Sequence, residues 1–133
     1  SPFMFKHFGI RDVRVICGGK TFPLQTLSID FAKNIYINAY NQLFEALDIS
    51  RDNKGNCINR SDFKNTHCLF AFDLTPDEDD NGHWDLIREG TTSIDIKFSE
   101  KLPDSGVEIV VYAEFDNLLL IDKDRNVFFD YSA

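Results

Sequence analysis

Cysteine is scarce in this chain, and this is one of several absences that narrow what the protein can be. The 133 residues hold only three cysteines, Cys17, Cys57 and Cys68. An odd and sparse set argues against a secreted disulfide scaffold and favours free thiols in a reducing compartment. No apolar run approaches the ~20 residues of a membrane-spanning helix, and no basic segment leads into an apolar one as in a signal peptide. We therefore expect no membrane partner.

Positive charge is also in short supply. The chain has 14 Lys and Arg residues against 22 Asp and Glu residues, which gives a net charge of −8 and a sequence pI near 4.7. A nucleic-acid binder needs a cationic surface that displaces counterions from phosphates, and no basic stretch of that kind is present. Direct binding of nucleic acid is therefore not expected.

No catalytic motif with a known mechanism is found. The sequence lacks a Gly-x-Ser-x-Gly nucleophile elbow, a glycine-rich phosphate loop and a His-Glu-x-x-His zinc motif. Glu108 and Glu114 fall on one face of a predicted strand, where Glu114 could pair with another carboxylate as in a glycosidase. A solvent-facing strand surface is the simpler interpretation. Val110 and Tyr112 share this face, which also suggests that another sheet, subunit or domain partly covers it. We predict that the protein is not an enzyme and has no catalytic or cofactor-binding residues.

Two stretches resemble calcium-binding loops without completing the pattern. In residues 52–63, Lys54 and Phe63 stand at positions that need oxygen ligands. In residues 122–127 the opening spacing is right, but Val127 takes the place of the glycine that makes the sharp turn. Both stretches are therefore interpreted as polar turns, and no metal site is predicted from them.

Two further features leave alternatives open. The acidic run at residues 77–80 could gather a hard cation if its loop curled around the ion, although a charge run is usually solvated. His67 and Cys68 are adjacent, so in a strand they face opposite sides and make a poor zinc pair. We expect no metal and no cofactor.

The residues that are present favour a single globular domain over residues 1–133. Hydrophobic residues make up 43% of the chain and phenylalanine alone supplies 13, which predicts one core filled by large rings. Apolar residues recur every four positions over residues 31–47, which predicts an amphipathic helix whose aromatic stripe faces the core. Residues 48–66 are polar and predict a long surface loop.

Alternating apolar and polar residues predict short antiparallel strands along the rest of the chain. Residues 69–76 are apolar on both faces, as in a strand covered on both sides, and Pro76 ends the stretch. The predicted strands are residues 10–17, 21–22, 69–76, 92–98, 107–115, 118–121 and 127–129. Regularly spaced short strands indicate an all-β fold with one helix, of the jelly-roll type, which is a two-sheet antiparallel β-sandwich.

A long part of the sequence also resembles a viral protein family. The residues that carry the likeness are 69–77 (LFAFDLTPD), 82–83 (GH), Gly90, 93–98 (SIDIKF), 110–117 (VVYAEFDN) and 121–127 (IDKDRNV), with 18–20 (GGK), Pro23, 30–31 (DF) and 39–44 (AYNQLF) upstream. These residues resemble the hexon-like double jelly-roll major capsid protein of Polinton (Maverick) elements and adintoviruses, copies of which lie in many animal genomes. The likeness runs over most of the chain and is densest from Leu69 to Val127.

The resemblance implies a structural protein that forms trimeric capsomers and, with other capsid subunits, tiles an icosahedral shell. It implies a location in the virion capsid, assembled in the host cytoplasm or nucleus, and it implies no catalytic residues. A chain of this length holds at most one of the two barrels of a double jelly roll. We therefore expect the C-terminal jelly-roll portion of a longer capsid protein, either excised or captured as a fragment by a host.

A binding module remains the alternative function, because jelly rolls also carry sugar and protein ligands. A capsid-derived protein adopted by a host would belong to this class, and Trp84 could stack on a sugar ring. Within the predicted central strand, Asp73 is unusual because its neighbours are apolar. We predict that its carboxylate accepts hydrogen bonds from a neighbouring turn, since a buried acid must find donors.

Overall fold

The computed structural model of the protein describes residues 3–74, 90–114 and 119–129. Its elements in chain order are β1 (Ile10–Cys17), β2 (Lys20–Phe22), α1 (Ile37–Glu45), α2 (Arg60–Asn65), β3 (Thr92–Phe98), β4 (Leu119–Ile121) and β5 (Val127–Phe129). Most are strands, and they form two small antiparallel sheets with the orders β2-β1-β3 and β4-β5. This arrangement agrees with the expected all-β class. Neither helix of the described residues is long and apolar enough to cross a membrane.

The larger sheet is organised around β1. The chain turns from β1 into β2 through Gly18 and Gly19, whose φ values of 54° and 78° suit a tight hairpin. On its other side, β1 pairs with β3 over its whole length, with one register shift near its start. The strands predicted at residues 10–17, 21–22 and 92–98 are confirmed.

The smaller sheet is the hairpin of β4 and β5, with Ile121 opposite Val127 at the turn. Arg125 has a φ of 64° there, and its backbone N–H donates to the carbonyl of Asp122 at 3.1 Å. The predicted turn and the strands at both sides of it are confirmed for residues 119–129.

The buried core is built mainly by the helices and the segments beside them. Phe63 in α2 is its centre and is fully buried. The ring centroid of Phe63 lies 6.3 Å from that of Phe31, 6.1 Å from Tyr36, 5.6 Å from Tyr40 and 6.1 Å from Phe70. The buried residues of this cluster are Leu27, Ile29, Phe31, Tyr36, Ala39, Leu43, Phe63 and Cys68. The prediction that large rings fill the core, and that the aromatic stripe faces it, is confirmed.

The prediction of one helix was wrong, because the described residues contain two. α2 lies within residues 48–66, which we expected to be surface loop. The Asn59 side chain accepts a hydrogen bond from the Asp62 backbone N–H, and the Asp62 carboxylate accepts one from the Asn59 backbone N–H, which forms a capping box. This box and the burial of Phe63 fix a short helix in a polar segment.

The helix predicted over residues 31–47 is shorter than expected. Asp30 and Ile35 exchange two backbone hydrogen bonds of 2.7 and 2.8 Å, and the Asp30 carboxylate accepts the backbone N–H of Lys33 at 3.0 Å. These bonds hold residues 30–35 in a turn, so α1 begins only after it.

The strand predicted at residues 69–76 was wrong over its described part. Residues 69–74 belong to no strand, and the nearest pairing is a single parallel bridge between Phe5 and His67. Leu69 and Phe70 instead pack against the core cluster. The stretch is apolar on two sides because it lies on the helical core, and Asp73 within it is half-buried. The hydrogen bonds of the Asp73 carboxylate stay a prediction.

The strand predicted at residues 107–115 was also wrong over residues 107–114, which have no strand pairing. A turn does form before it, with Gly106 at φ 79° and its backbone N–H donating to the Pro103 carbonyl at 2.9 Å. Residues 107–114 do not pair with the outer edge of any described strand. Alternation of apolar residues without pairing to a neighbouring strand does not make a strand.

Candidate functional site

Asp12 is the buried charged residue of the described chain, with 3% of its surface exposed. Its Oδ2 accepts a hydrogen bond from Arg14 Nε at 2.7 Å, and its Oδ1 accepts the backbone N–H of Leu27 at 3.3 Å. Arg14 also donates from Nη2 to Thr26 Oγ1 at 2.5 Å. This network ties residues 26–29 to β1. Because each partner is already occupied, we assign it to structure rather than to chemistry.

A shallow depression of about 350 Å³ opens beside this network. Arg11, Arg14 and Lys97 line it, together with the Thr26 and Ser28 hydroxyls. The charge of Arg14 is compensated by Asp12. Arg11 and Lys97 remain, so the lining of the depression carries a net positive charge, although the depression is open to solvent.

Burial controls the chemistry of Cys68. Its thiol is buried in the core, and desolvation raises its pKa to about 12. The thiolate form that attacks electrophiles and binds metals is therefore rare at neutral pH. The neighbouring His67 ring contacts the Thr66 hydroxyl, with Nδ1 2.7 Å from Oγ1. All three cysteines, Cys17, Cys57 and Cys68, are free.

His7 is a half-buried histidine with a structural environment. Its ring stacks on Phe31 with the centroids 4.1 Å apart, and its Nδ1 accepts the backbone N–H of Gly9 at 3.0 Å. Burial lowers the pKa of His7, and the positive charge of Lys64 lowers it further. Both effects favour the neutral ring, which is the form that accepts the Gly9 hydrogen bond.

Of the two calcium-like stretches, residues 122–127 form a turn, whereas residues 52–63 run through bends into α2 and were wrongly expected to be a turn throughout. Asp122 Oδ1 accepts the backbone N–H groups of Asp124 and Asn126 at 2.8 and 2.9 Å, and its Oδ2 accepts Asn126 Nδ2 at 2.7 Å. These hydrogen bonds lower the pKa of Asp122. In the other stretch, Asp52 lies 3.7 Å from the ammonium of Lys54. Within residues 3–74, 90–114 and 119–129, no group of three or more His, Cys, Asp or Glu side chains is placed to hold a metal.

Glu114 and Tyr112 face the same side of the chain, as their spacing predicted. The Tyr112 hydroxyl donates to Glu114 Oε1 at 2.7 Å, and this bond raises the pKa of Tyr112. Both residues are exposed, so this face carries a surface pair and not a carboxylate dyad. The acidic run at residues 77–80 and Trp84 lie outside the described residues.

The feature that distinguishes this structure is the amount of apolar surface in its last third. In the extended segment of residues 107–114, Val110 is 73% exposed and Tyr112 is 84% exposed. The hairpin of β4 and β5 is also uncovered, with Ile121 64% exposed. The exposed large apolar residues of these two regions are Ile109, Val110, Val111, Tyr112, Leu119, Leu120, Ile121, Val127 and Phe128. We call this set the C-terminal apolar surface.

A run of exposed large apolar side chains often marks a place where another surface packs, and each of these two regions carries such a run. The C-terminal apolar surface is therefore the candidate functional site, and it is suited to association rather than to chemistry. Sequence reasoning assigned one face of the 107–115 segment to the interior of a sandwich. The sequence did suggest that Val110 and Tyr112 are partly covered by another sheet, subunit or domain.

Comparison with known proteins yields one informative relative. A Caenorhabditis elegans protein described as uncharacterized, F54H12.2, is 36% identical over 132 residues, which cover 98% of this chain and 32% of that protein. The chain thus spans about a third of the length of the curated relative it matches. No protein-family model and no solved structure matches the chain.

Proposed function

We propose that this chain is a structural domain that works by self-association, as part of a viral or transposon-derived major capsid protein. The observation that carries the proposal is the C-terminal apolar surface, in which side chains such as Val110 and Tyr112 are more than two-thirds exposed. Burying this surface between copies would remove apolar area from water, which is the main driving force of stable association.

The resemblance to hexon-like capsid proteins adds the architecture. In this proposal the chain is one domain of the jelly-roll type, and residues 107–114 join a sheet when a neighbouring subunit supplies an edge. The two antiparallel sheets and the turns at Gly18-Gly19 and residues 102–106 support this fold. The partners are other capsid subunits, in trimeric capsomers of a virion shell. The free thiols of Cys17 and Cys57 agree with assembly in a reducing compartment.

The match to the C. elegans relative is compatible with a form of this proposal in which a host has captured the domain. The relative is an animal protein, and capsid-like copies of the resembled family lie in animal genomes. The match covers nearly all of this chain but only 32% of that protein. A capsid-derived domain set within a longer polypeptide would give this pattern.

Sedimentation velocity over a wide range of concentrations, followed by negative-stain microscopy, tests the proposal. We expect concentration-dependent oligomers for this chain, and closed or sheet-like assemblies for a longer form that includes its neighbouring sequence. A double variant, Val110→Ser with Tyr112→Ser, should weaken association because it makes the most exposed part of the surface polar. A matched variant, Leu24→Ser, changes a residue that is 92% exposed outside this surface and should associate normally. Strictly monomeric behaviour of both forms at millimolar concentration would reject the proposal.

A binding module is the second candidate, and the 84% exposure of Tyr112 favours it, because tyrosine is enriched where one protein recognises another. For a glycan ligand, Trp84 is the residue to test. Loss of glycan-array binding in a Trp84→Ala variant, with the chain remaining a monomer, would favour this candidate over capsid assembly.

A further inference from the structure

β3 is an edge strand of the sheet that the described residues form. One of its sides is paired with β1 along its whole length, and no strand of residues 3–74, 90–114 and 119–129 lies beyond the other side. Ser93, Ile94, Asp95 and Lys97 of this strand are exposed. An uncovered edge presents backbone N–H and C=O groups that can pair with another strand.

The sequence of this edge is complementary to itself. In an antiparallel pair of two β3 strands centred on Ile96, Asp95 of each copy lies opposite Lys97 of the other. Ile94 of each copy lies opposite Phe98 of the other on the second face. Asp95 and Lys97 already share one face, with the carboxylate and the ammonium 3.9 Å apart. Opposite charges and apolar–aromatic pairs directly across antiparallel strands both stabilise pairing.

We propose that two copies of this chain associate through their β3 strands, antiparallel and centred on Ile96, so that the two sheets join into one of six strands. This inference rests on the proposed self-association and names the surface that one of its contacts uses. The β3 contact would act in addition to contacts made by the C-terminal apolar surface. The contact is isologous, because the same edge serves both copies around a two-fold axis.

The charges of β3 favour a second copy of β3 over residues 107–114 of the same chain as the partner of this edge. Residues 107–114 of the same chain carry Glu108 and Glu114 and no cation, so they offer an opposite charge to Lys97 but only like charges to Asp95. A second β3 strand offers a cation to Asp95 and a carboxylate to Lys97. The chain as a whole carries a net charge of −8, so most of its surfaces repel a second copy, whereas this edge is locally neutral.

Charge reversal at the two positions tests the inference. In an Asp95→Lys variant the introduced lysine faces Lys97 of the partner, and in a Lys97→Glu variant the introduced glutamate faces Asp95 of the partner. Each homodimer then contains two like-charged pairs, and its dissociation constant should rise on the order of tenfold or more. An equimolar mixture of the two variants restores two opposite-charge pairs. It should therefore dimerise about as well as the unchanged protein.

The matched control is the exposed ion pair of Lys101 and Asp104, whose charged atoms are 2.6 Å apart. Asp104→Lys and Lys101→Glu make the same changes of charge outside β3, and we expect each to self-associate like the unchanged protein. Circular dichroism of every variant confirms that it folds. A carbodiimide cross-link between Asp95 of an isotope-labelled copy and Lys97 of an unlabelled copy, identified by mass spectrometry, would support the predicted register.

The outcomes separate this inference from the proposed function. If the protein self-associates and neither β3 variant is weaker than its control, the β3 contact is wrong while self-association stands. The same conclusion follows if the mixture does not recover. A strictly monomeric protein would overturn both.

Discussion

Phe63 and Phe70 pack edge to face, with their ring centroids 6.1 Å apart and their planes at 74°. Phe63 belongs to the helix α2 and Phe70 to an extended segment that is not part of a sheet. The contact therefore shows what holds residues 69–74 in place, which is the aromatic core around the helices. Edge-to-face pairs of this kind are favourable beyond the area they bury.

The first prediction concerns that core. Phe63→Ala should lower the free energy of unfolding by about 3–5 kcal/mol, because it removes a fully buried ring and leaves a cavity. Chemical denaturation at a concentration where the chain is monomeric measures the loss. Phe128→Ala, at a ring that is 55% exposed, removes the same atoms and should change the monomer by less than about 0.5 kcal/mol. Similar losses in both variants would mean that Phe63 is not the centre of the core.

Residues 69–74 show why the central strand could not be recognised from sequence. A run that is apolar on both sides is expected of a strand between two layers, but a segment lying on helices needs the same composition. Local pattern does not tell which partner provides the cover. The β1–β2 hairpin was predictable because Gly18 and Gly19 specify the turn, and the turn specifies the pairing.

The second prediction concerns the helix that sequence reasoning missed. Asn59→Ala removes the side-chain oxygen that accepts the Asp62 backbone N–H at 2.9 Å. Unfolding should become easier by about 1 kcal/mol, as is typical of a lost N-cap. Asn65→Ala is the control, since the Asn65 side chain donates only to an exposed hydroxyl, that of Ser61, and it should stay within about 0.5 kcal/mol. Equal effects would argue against the capping box.

The start of α2 carries a signal that is visible in the sequence. Asn59 is followed three residues later by Asp62, an acidic residue that completes a capping box in place of the usual glutamate. Phe63 comes next, and a large apolar residue in a polar segment indicates a buried position. The short length of the helix hid the periodicity on which the prediction of α1 depended.

The candidate site was predictable in part. Spacing alone placed Tyr112 and Glu114 on one side of the chain, and their hydroxyl and carboxylate are hydrogen-bonded. Spacing does not tell whether either side is covered, because that depends on another layer packing against the segment and not on the segment itself. The exposure of Val110 and its neighbours is therefore a property that only the structure supplies.

The third prediction concerns the buried carboxylate of β1. Asp12→Ala leaves the Leu27 backbone N–H and the Arg14 Nε–H without their acceptor, and both groups are partly shielded from water. The free energy of unfolding should fall by about 1–3 kcal/mol. Asp52→Ala is the control, because Asp52 is 53% exposed and 3.7 Å from Lys54, and exposed pairs contribute about 1 kcal/mol or less.

Asp12→Asn refines this test. The asparagine keeps an acceptor for the Leu27 N–H but loses the charge that pairs with Arg14. A variant that recovers most of the stability would show that the hydrogen bond to the 26–29 segment matters more than the ion pair. If both variants are as stable as the unchanged protein, the network does not hold that segment.

The fourth prediction concerns pH, and it depends on His7. Burial and Lys64 lower the pKa of His7 in the folded protein, so between that lowered value and about 6.5 the unfolded chain binds more protons than the folded one. Stability from this residue is complete above pH 6.5 and decreases as the pH falls through that window. Protonation also removes the acceptor that receives the Gly9 N–H. Thermal unfolding between pH 7.5 and 5 should therefore show a falling midpoint.

His7→Gln separates this effect from the other titrating groups. The side-chain carbonyl of glutamine can accept a hydrogen bond but does not titrate, so the variant should have a flatter dependence of stability on pH between 7.5 and 5. The carboxylates whose pKa values are lowered, Asp30 and Asp122, lose their contribution only as the pH falls below about 4. They therefore do not contribute in this window. An identical slope in the variant and the unchanged protein would show that His7 is not the residue responsible.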